Sequence, residues 1–453
     1  MKNQQDHLNI QHINIEDLFG IYTYSIPVDN IDISQLLILY GQNGAGKTTI
    51  LQMIYNLLSS ENGEGHKTEL ANTKFKKISI KLSNNIIISA FRSEDLIGKY
   101  TLSFKNQEEL FEVECNPTLN GKKYILNDMD DEDDFYHFLS LLKDIKLAIH
   151  SLSDDRKIKS NISMILNEKN DEVRISDIPI DIFHEMRRGE GKAFSLSDIF
   201  LQTSIQRVEN WFNNEALKGN TIGQNDIQEI YFNLITELLD EKKKGKKLNK
   251  PTISKESILE RLNILEKKNK EFMKYNLTLD FNLDKYIDII ESFSDTKLET
   301  IENILKPYIE GIEKKLNAIE DTKNIIDTFV TTLNEFYTGK ELKFTIGTTK
   351  ENGIKIYSKY NDKEELNPTM LSSGEKQLLL LFCNTITARE QASIFIIDEP
   401  ELSLNVVWQR KLINALLEFS KGSSIQFILA SHSIELLSNY SNHVSKLKNN
   451  KEL

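Results

Sequence analysis

The chain has 453 residues, of which 39% are hydrophobic and 27% are charged, a composition typical of a globular protein with a sizeable core. The formal net charge of -12 argues against a large nucleic-acid-binding surface, because such a surface needs clustered Lys and Arg. Cys115 and Cys383 fit neither a disulfide framework nor a metal-ligand spacing, and they predict free thiols in a reducing cytoplasm. The polar N-terminus and the lack of an apolar run of about 18 residues predict neither a secretion signal nor a membrane span.

The first part of the chain has the pattern of a mixed α/β region. Residues 36–40 form a short apolar run followed by glycine, which is typical of a buried parallel strand, and residues 47–58 follow as a helix. Alternating apolar and polar residues at 77–82, 85–90 and 100–104 predict half-buried antiparallel strands. The acidic run at 128–134 is typical of a surface loop.

From about residue 195 to Gly339 the pattern becomes helical. Apolar residues at alternating spacings of four and three indicate what we call the heptad seam, which also contains one lysine. It comprises Leu305, Ile309, Ile312, Leu316, Ile319, Lys323, Ile326, Val330 and Leu333. An earlier helix carries apolar residues on one face between residues 258 and 272. Two interpretations remain open: a packed helical subdomain or a projecting coiled-coil arm. The lysine run at 242–247 is either a solvated loop or a local basic patch.

The last third returns to α/β character. Residues 341–346 and 353–358 predict a hairpin, and residues 393–397 and 424–430 predict central parallel strands. We therefore expect an N-terminal lobe at 1–195, a helical insertion at 196–340 and a C-terminal lobe at 341–453.

A glycine-rich segment, Gly41 to Thr48, matches the phosphate-binding pattern G-x-x-x-x-G-K-[ST] between a strand and a helix. Glycines let backbone N–H groups approach the phosphates of ATP, and the helix directs its positive end toward the anion. Lys47 adds a charge on the outer phosphates, and Thr48 is a ligand for Mg²⁺. The predicted nucleotide-binding residues are Gln42, Asn43, Gly44, Ala45, Gly46, Lys47, Thr48 and Thr49.

Two carboxylates end the apolar strand at 394–397. Asp398 is a candidate Mg²⁺ ligand, and Glu399 is placed to polarise an attacking water, as hydrolysis of ATP requires. A strand that merely ends in an acidic turn is the alternative for this segment alone. Its combination with the phosphate-binding loop favours the catalytic interpretation.

The segment Leu371-Ser372-Ser373-Gly374-Glu375 resembles the signature motif of ABC-type ATPases, Leu-Ser-Gly-Gly-Gln, with Ser373 and Glu375 as departures. The resemblance implies that Ser372, Ser373, Gly374 and Glu375 contact the nucleotide held by a second subunit. A simple helix N-cap is the alternative interpretation of the same residues.

Two further segments occupy family positions in the expected order. Residues 400–405 stand at the D-loop, where Asn405 replaces the usual histidine of the Ser-Leu-His version, and His432 stands at the switch histidine. The resemblance implies Lys47, Glu399 and His432 as catalytic residues. For the Q-loop, Gln107 and the segment at 149–156 are both candidates.

The complete set of motifs resembles ATPases related to the overcoming-lysogenisation-defect nucleases and to RecF, Rad50 and SMC proteins. It implies an ABC-type P-loop ATPase head, with a mixed sheet flanked by helices, an antiparallel β subdomain and a helical insertion. About 20 residues follow His432, so we expect no C-terminal nuclease domain.

Stand-alone ATPases of antiphage systems, PARIS-type first and Septu-type second, are similar to this arrangement. The similarity implies a cytoplasmic, slowly hydrolysing homodimer or higher homo-oligomer that controls a separately encoded nuclease or toxin. A DNA-repair ATPase of the RecF or Rad50 type and an ATP-binding scaffold without turnover are the alternatives.

Overall fold

The computed structural model describes most of the chain. The described residues are 8–28, 31–61, 65–121, 123–126, 132–152, 158–160, 196–239, 255–292, 298–349, 351–360, 364–389 and 393–449. They divide into two compact units: Met1–Thr203 with Ser372–Leu453, here called the head unit, and Ser204–Leu371, here called the insertion unit. The architecture is mixed α/β, as the sequence predicts.

A six-stranded mixed sheet forms the centre of the head unit, with the strand order β11-β10-β15-β16-β3-β17. Its central strands run parallel and are almost entirely buried, because helices and a second sheet cover the apolar runs from which they are made. The strands are β3 (Leu36–Tyr40), β10 (Ile149–Leu152), β11 (Ile158–Ser160), β15 (Ile394–Asp398), β16 (Gln426–Ser431) and β17 (Val444–Lys446).

A second six-stranded sheet in the head unit is antiparallel, with the order β2-β1-β4-β5-β6-β7. The alternating segments of the sequence form its centre, which confirms the prediction of half-buried antiparallel strands. The strands are β1 (Ile10–Leu18), β2 (Tyr22–Ile26), β4 (Lys77–Leu82), β5 (Ile87–Phe91), β6 (Tyr100–Lys105) and β7 (Leu110–Cys115). A small hairpin of β8 (Thr118–Asn120) and β9 (Lys123–Ile125) follows them.

The side chain of Gln426 joins the two sheets. It is fully buried, and its Oε1 accepts from the Ile10 amide at 2.7 Å. Its Nε2 donates to the carbonyl oxygens of Ile10 at 2.9 Å and Ile33 at 2.6 Å. One amide side chain therefore satisfies three backbone groups that would otherwise be buried without partners.

The helices of the head unit pack on these sheets and on each other. Helix α1 contacts strands of both sheets, and Lys67 of α2 donates to the carbonyl oxygens of Asn56, Leu57 and Ser59 at 2.6 to 3.0 Å, which caps the end of α1. The helices are α1 (Lys47–Leu58), α2 (His66–Asn72), α3 (Glu132–Asp144), α9 (Ser373–Ala388), α10 (Val406–Ser420) and α11 (Ile434–Leu437). Residues 132–134 of the predicted acidic loop form the first turn of α3 instead.

The insertion unit is mainly helical. Phe212 lies between Phe329 and Phe344 at ring-centroid distances of 6.1 and 5.0 Å, and these rings contribute to its core. Its helices are α5 (Lys255–Met273), α6 (Leu283–Ser292), α7 (Leu298–Ala318) and α8 (Glu320–Phe336), together with most of α4 (Leu196–Leu239). In the described part of the chain, no helix is both long enough and apolar enough to cross a membrane.

The heptad seam does not lie on one continuous helix. The helix breaks at Ile319, which has φ -109° and ψ 6° between α7 and α8. At this point α4 approaches so closely that a Cβ on Gly219 would overlap the Ile319 side chain. The apolar seam residues are buried, and Lys323 of the seam pairs with Glu271 at 3.1 Å. The seam therefore packs inside its own unit.

The predicted hairpin is present as β12 (Lys340–Thr345) and β13 (Gly353–Ser358), with β14 (Glu365–Leu366) beside β13. The hairpin belongs to the insertion unit and not to the predicted C-terminal lobe at 341–453. Asn334 of α8 exchanges two hydrogen bonds with Leu342, at 2.7 and 2.9 Å, and Glu209 of α4 accepts from the Ile354 amide at 2.6 Å. These bonds to the helices explain why the division falls at 371/372 rather than at 340/341.

Three predicted features lie wholly or partly outside the described residues: the lysine run at 242–247, residues 128–131 of the acidic run, and residues 153–156 of one Q-loop candidate.

Candidate functional site: a phosphate-binding loop and a carboxylate–histidine cluster

Three parallel strands of the central sheet end at one edge. In the register, Asp398 of β15 pairs with Ala430 of β16, and Ser431 pairs with Tyr40 of β3. The chain then continues from β3 into the glycine-rich loop, from β15 into Glu399 and from β16 into His432. Motifs nearly 400 residues apart in sequence therefore meet because their strands are neighbours.

The glycine-rich loop forms the turn that its pattern predicts. Gly44 and Gly46 have φ values of 86° and 83°, in the left-handed region that favours glycine. A Cβ on Gly46 would lie 2.8 Å from Leu18 Cδ2 and 3.1 Å from Phe19 Cε2, whereas one on Gly44 would meet no atom within 4 Å. The Tyr24 hydroxyl of β2 also donates to the Ala45 carbonyl oxygen at 3.0 Å, and this bond connects the loop to the antiparallel sheet.

The predicted nucleotide-binding residues lie together on this loop and the first turn of α1. Gln42, Asn43, Gly44 and Thr48 are exposed, whereas Ala45, Gly46 and Thr49 are partly buried. Unpaired backbone N–H groups at the start of a helix bind anions, so the loop has the form of a phosphate site.

Lys47 is the buried cation of this loop. Its side chain is 6% exposed, and its Nζ donates to the carbonyl oxygen of Gly41 at 2.9 Å and to that of Gln42 at 3.4 Å. The same Nζ lies 4.0 Å from Glu399 Oε1. The ammonium group is thus held between the phosphate-binding loop and the carboxylate cluster.

Glu399 is held in a strained backbone conformation, with φ 47°, and its amide donates to the Ala430 carbonyl oxygen at 2.9 Å. Its carboxylate Oε2 is hydrogen-bonded to Nδ1 of His432. Burial raises the pKa of the Glu399 carboxyl to about 7, and the nearby Glu401 carboxylate adds to this rise, whereas the His432 ring opposes it. A carboxyl group with a pKa near 7 is suited to general-base chemistry.

His432 and Glu399 therefore form a pair in the position that the sequence motifs predict. The His432 side chain is 55% exposed, so the ring can contact a ligand in solution while Nδ1 remains bonded to the carboxylate. The adjacent Asp398 side chain is 7% exposed at the end of β15.

Glu401 belongs to this cluster, whereas the sequence motifs predict only that it lies in the D-loop segment. It is 3% exposed, and its Oε1 accepts from the Ser431 hydroxyl and from the amides of His432 at 3.1 Å and Ser433 at 3.2 Å. The available signal was a second acidic residue two positions after Glu399 in an otherwise apolar turn.

Glu399, Glu401 and His432 have one ligand atom each within 4.8 Å of one another, which is a spacing compatible with a metal ion. Hydrogen bonds between these residues and their loops account for the arrangement without one. The predicted Mg²⁺ ligands are instead Thr48 and Asp398, whose hydroxyl and carboxylate oxygens are the hard donors that Mg²⁺ prefers. The donor chemistry therefore fits the predicted ion.

The signature segment begins α9. Ser372 is its N-cap, and a capping box joins it to Glu375: the Ser372 hydroxyl accepts from the Glu375 amide at 3.4 Å, and Glu375 Oε2 accepts from the Ser372 amide at 2.8 Å. Ser372 and Ser373 are exposed. Gly374 is buried, and the Ser403 backbone lies close to it: a Cβ on Gly374 would be 2.6 Å from the Ser403 carbonyl oxygen.

Glu375 bonds within its own chain in this capping box, and its contact with the nucleotide of a second subunit stays a prediction. Its side chain is buried and its carboxylate is bonded to the backbone of its own chain, so the exposed part of the segment is confined to Ser372 and Ser373. The N-cap interpretation and an exposed helix start are both present in the same segment. In the D-loop, Asn405 is the N-cap of α10, and its Oδ1 accepts from the Trp408 amide at 3.0 Å.

The two Q-loop candidates lie in different sheets. Gln107 lies in the turn between β6 and β7 of the antiparallel sheet. The other candidate segment begins with β10, in which Leu152 pairs with Ile397 one residue before Asp398. Only this second segment approaches the edge at which the other motifs meet.

A sequence model of the family described as "AAA domain, putative AbiEii toxin, Type IV TA system" matches residues 138–438, well over half of the chain. The chain belongs to this family. The matched segment contains the signature, the paired carboxylates and His432, and it places the protein among ABC-type ATPases.

Comparisons with individual proteins give more distant similarities. The cytochrome c biogenesis ATP-binding export protein CcmA of Reclinomonas americana is 27% identical over 167 residues, which are 35% of this chain and 68% of that protein. The Smc head domain of Pyrococcus furiosus with an extended coiled coil, bound to the C-terminal domain of ScpA, has a TM-score of 0.38 at 15% identity. That alignment covers 95% of this chain and 92% of the other.

A second structure, of the SmcHead bound to the C-winged helix domain of ScpA, has a TM-score of 0.34 at 12% identity and covers 95% of this chain and 91% of that one.

Proposed function

We propose that this protein binds and slowly hydrolyses ATP. We further propose that bound ATP holds two copies of the chain together, so that the dimer acts as a conformational switch. The carrying observation is that Lys47, Glu399 and His432 lie together at one edge of the central sheet, with the Lys47 ammonium 4.0 Å from Glu399 and the His432 ring bonded to the same carboxylate. Membership of an ABC-type ATPase family supports this proposal.

Each group has a distinct task in hydrolysis. The loop amides at residues 42–46 and the Lys47 ammonium would bind the phosphates, and Thr48 and Asp398 would hold Mg²⁺, which would neutralise charge on the phosphate oxygens. Glu399 orients the attacking water and accepts its proton, which is consistent with the pKa of about 7. His432 is held through Nδ1, and its other ring nitrogen would contact the γ-phosphate.

The exposed N-terminus of α9 supports the dimer part of the proposal. Ser372 and Ser373 offer hydroxyl groups, and Ser373 also a helix N–H group, to an anion, and the ABC-type resemblance implies that this anion is the γ-phosphate on a second copy. Each site would then be completed by the opposite subunit, so that ATP holds the two copies together.

A substitution series tests the hydrolysis. We expect purified protein to release phosphate from ATP, Lys47→Ala to lose nucleotide binding, and Glu399→Gln to bind ATP but lower turnover at least about 100-fold. Light scattering of Glu399→Gln should show a dimer or larger assembly with ATP and a smaller species with ADP. Normal turnover by Glu399→Gln would refute the assignment of the base.

We further propose that the switch controls a separately encoded nuclease or toxin in an antiphage system, of the PARIS type in preference to the Septu type. The family description, which refers to a toxin and a TA system, supports this role. Co-purification with the product of the adjacent gene, followed by mass spectrometry, tests it: a nuclease or toxin supports the proposal, and a membrane protein contradicts it.

Action on DNA is the competing proposal, and the net charge of -12 disfavours it. Stimulation of turnover by duplex DNA, with a steep loss of that stimulation between 50 and about 200 mM salt, would establish the RecF or Rad50 type of function instead.

A further inference from the structure

Glu401 lies in the turn after Glu399, and its contacts converge on the loop that carries His432. We infer that Glu401 is a positioning residue for hydrolysis: it fixes residues 431–433 and thereby places His432 beside Glu399. This inference rests on the proposed function, because the place of His432 matters for catalysis only if the site hydrolyses ATP.

The geometry of one oxygen atom carries the argument. Glu401 Oε1 accepts from the amides of His432 at 3.1 Å and Ser433 at 3.2 Å, and also from the Ser431 hydroxyl. Three consecutive residues are therefore bound to a single acceptor, and His432 is the middle one. The same oxygen lies 3.6 Å from His432 Nδ1, so it also faces the ring. Glu401 therefore sets the backbone of His432, while Glu399 holds the imidazole through Nδ1.

Glu401 is itself held firmly. Within its turn, the Leu402 amide donates to the Glu399 carbonyl oxygen and the Leu404 amide donates to the Glu401 carbonyl oxygen, both at 3.0 Å. From α9, Gln377 Nε2 donates to the Pro400 carbonyl oxygen at 3.3 Å. The carboxylate thus connects the loop of His432 to a turn fixed by the helix that begins with the signature segment.

A purely structural role does not explain why the buried residue at position 401 is a carboxylate. Glu401 is 3% exposed, and it shares the His432 imidazole with a second carboxylate, Glu399. Burial of a charge next to a like charge opposes folding, and an uncharged acceptor would hold the loop at lower cost. Arrangements of this kind are typical of sites where the charges serve chemistry.

The loop does not depend on Glu401 alone for its fold. The Ser433 hydroxyl donates to Gln409 Oε1 at 2.6 Å, and Gln409 Nε2 donates to the Leu404 carbonyl oxygen at 2.9 Å. Loss of the carboxylate should therefore displace His432 without unfolding the loop.

The test compares Glu401→Leu, Glu401→Asp and Glu401→Gln with the control Glu435→Gln, whose exposed carboxylate lies two residues beyond Ser433 and pairs with Arg410. We expect Glu401→Leu to lower kcat about 10- to 100-fold with KM for ATP unchanged, because misplacement of a catalytic group by about 1 Å has an effect of this size. Glu401→Gln keeps the acceptor oxygen but not the charge that faces the His432 ring, and it should recover only part of kcat. Glu401→Asp reaches less far and should fall between the two. Glu435→Gln should match wild type.

A spectroscopic readout separates positioning from general stability. In protein labelled with [15N]histidine, the His432 amide proton should move upfield in Glu401→Leu, because it loses its hydrogen-bond acceptor, and should move less in Glu401→Gln, which keeps an acceptor oxygen.

Wild-type kcat in Glu401→Leu, or a fall in ATP binding in parallel with kcat, would overturn the inference. If Glu401→Leu does not fold, Glu401→Asp decides: an unchanged kcat and an unmoved His432 signal contradict positioning. Failure of the proposed function has a different signature, since wild-type protein would then not hydrolyse ATP at all.

Discussion

Replacement of Gly46 by alanine should destabilise the head unit much more than the same replacement at Gly44. Both glycines have left-handed backbone angles, φ 83° and 86°, so each alanine costs about 1 to 2 kcal/mol from the backbone alone. At Gly44 nothing lies within 4 Å of the new Cβ. At Gly46 the Cβ would lie 2.8 Å from Leu18 Cδ2 and 3.1 Å from Phe19 Cε2. Overpacking of this kind adds about 1 to 3 kcal/mol. The expected losses are therefore about 1 to 2 kcal/mol for Gly44→Ala and about 2 to 5 kcal/mol for Gly46→Ala.

Equilibrium unfolding in urea without nucleotide measures this difference. A Trp211→Phe background leaves Trp408 as the only tryptophan, so that fluorescence reports on the head unit. A double-mutant cycle with Leu18→Ala isolates the contact: removal of the Leu18 methyl groups should make Gly46→Ala less damaging by about 1 kcal/mol or more, and leave Gly44→Ala unchanged. Equal losses at the two glycines, or no coupling between residues 18 and 46, would refute the close-contact explanation.

Further predictions concern the buried polar groups and the thiols. Gln426→Met should lower the free energy of unfolding by about 2 to 4 kcal/mol, because three buried backbone groups lose their partners while volume is kept, and a loss below about 1 kcal/mol would contradict this. Lys67→Met should cost about 2 to 4 kcal/mol, because three buried carbonyl oxygens at the end of α1 lose their partner. The same replacement at the exposed Lys74 gives a neutral control, and thermal unfolding measures both. In EDTA, the stability advantage of Glu399→Gln over wild type should grow from pH 5 to pH 8. The pKa of the Glu399 carboxyl is raised from 4.5 to about 7 in the folded protein. The stabilisation that wild type gains from the protonated carboxyl is therefore fully present below about pH 4.5 and is lost as the pH rises through 7. Parallel urea midpoints across this range would argue against that shift. Native protein should react with a thiol reagent only after denaturation, because both cysteines are buried and burial raises the pKa of Cys115 to about 12.

Sequence patterns predict the ATPase motifs well because each motif depends on its immediate neighbours. The apolar run before Gly41 forms a buried parallel strand, and Gly44 and Gly46 have the backbone angles that only glycine adopts easily. The order of the motifs then predicts that Lys47, Glu399 and His432 share one site, and the structure brings these three side chains together.

Departures from the predictions arise where distant segments touch. The heptad seam breaks at Ile319, the residue that Gly219 of another helix, about 100 residues earlier, approaches closely. The hairpin that follows the seam joins the insertion unit because Glu209 binds the backbone of Ile354. The contacts of Gly219 and Glu209 cannot be recognised from the periodicity of the seam or of the hairpin.

The sequence by itself determined the class of chemistry, since a phosphate-binding loop, paired carboxylates and a histidine each follow a β-strand with local signals that need no tertiary context. Only the tertiary structure decided which polar groups support them. Glu401 and the loop at 431–433 are some 30 residues apart, and Gln426 and Ile10 are 416 apart. Hydrogen bonds over such separations depend on strand order and register, which no local pattern encodes.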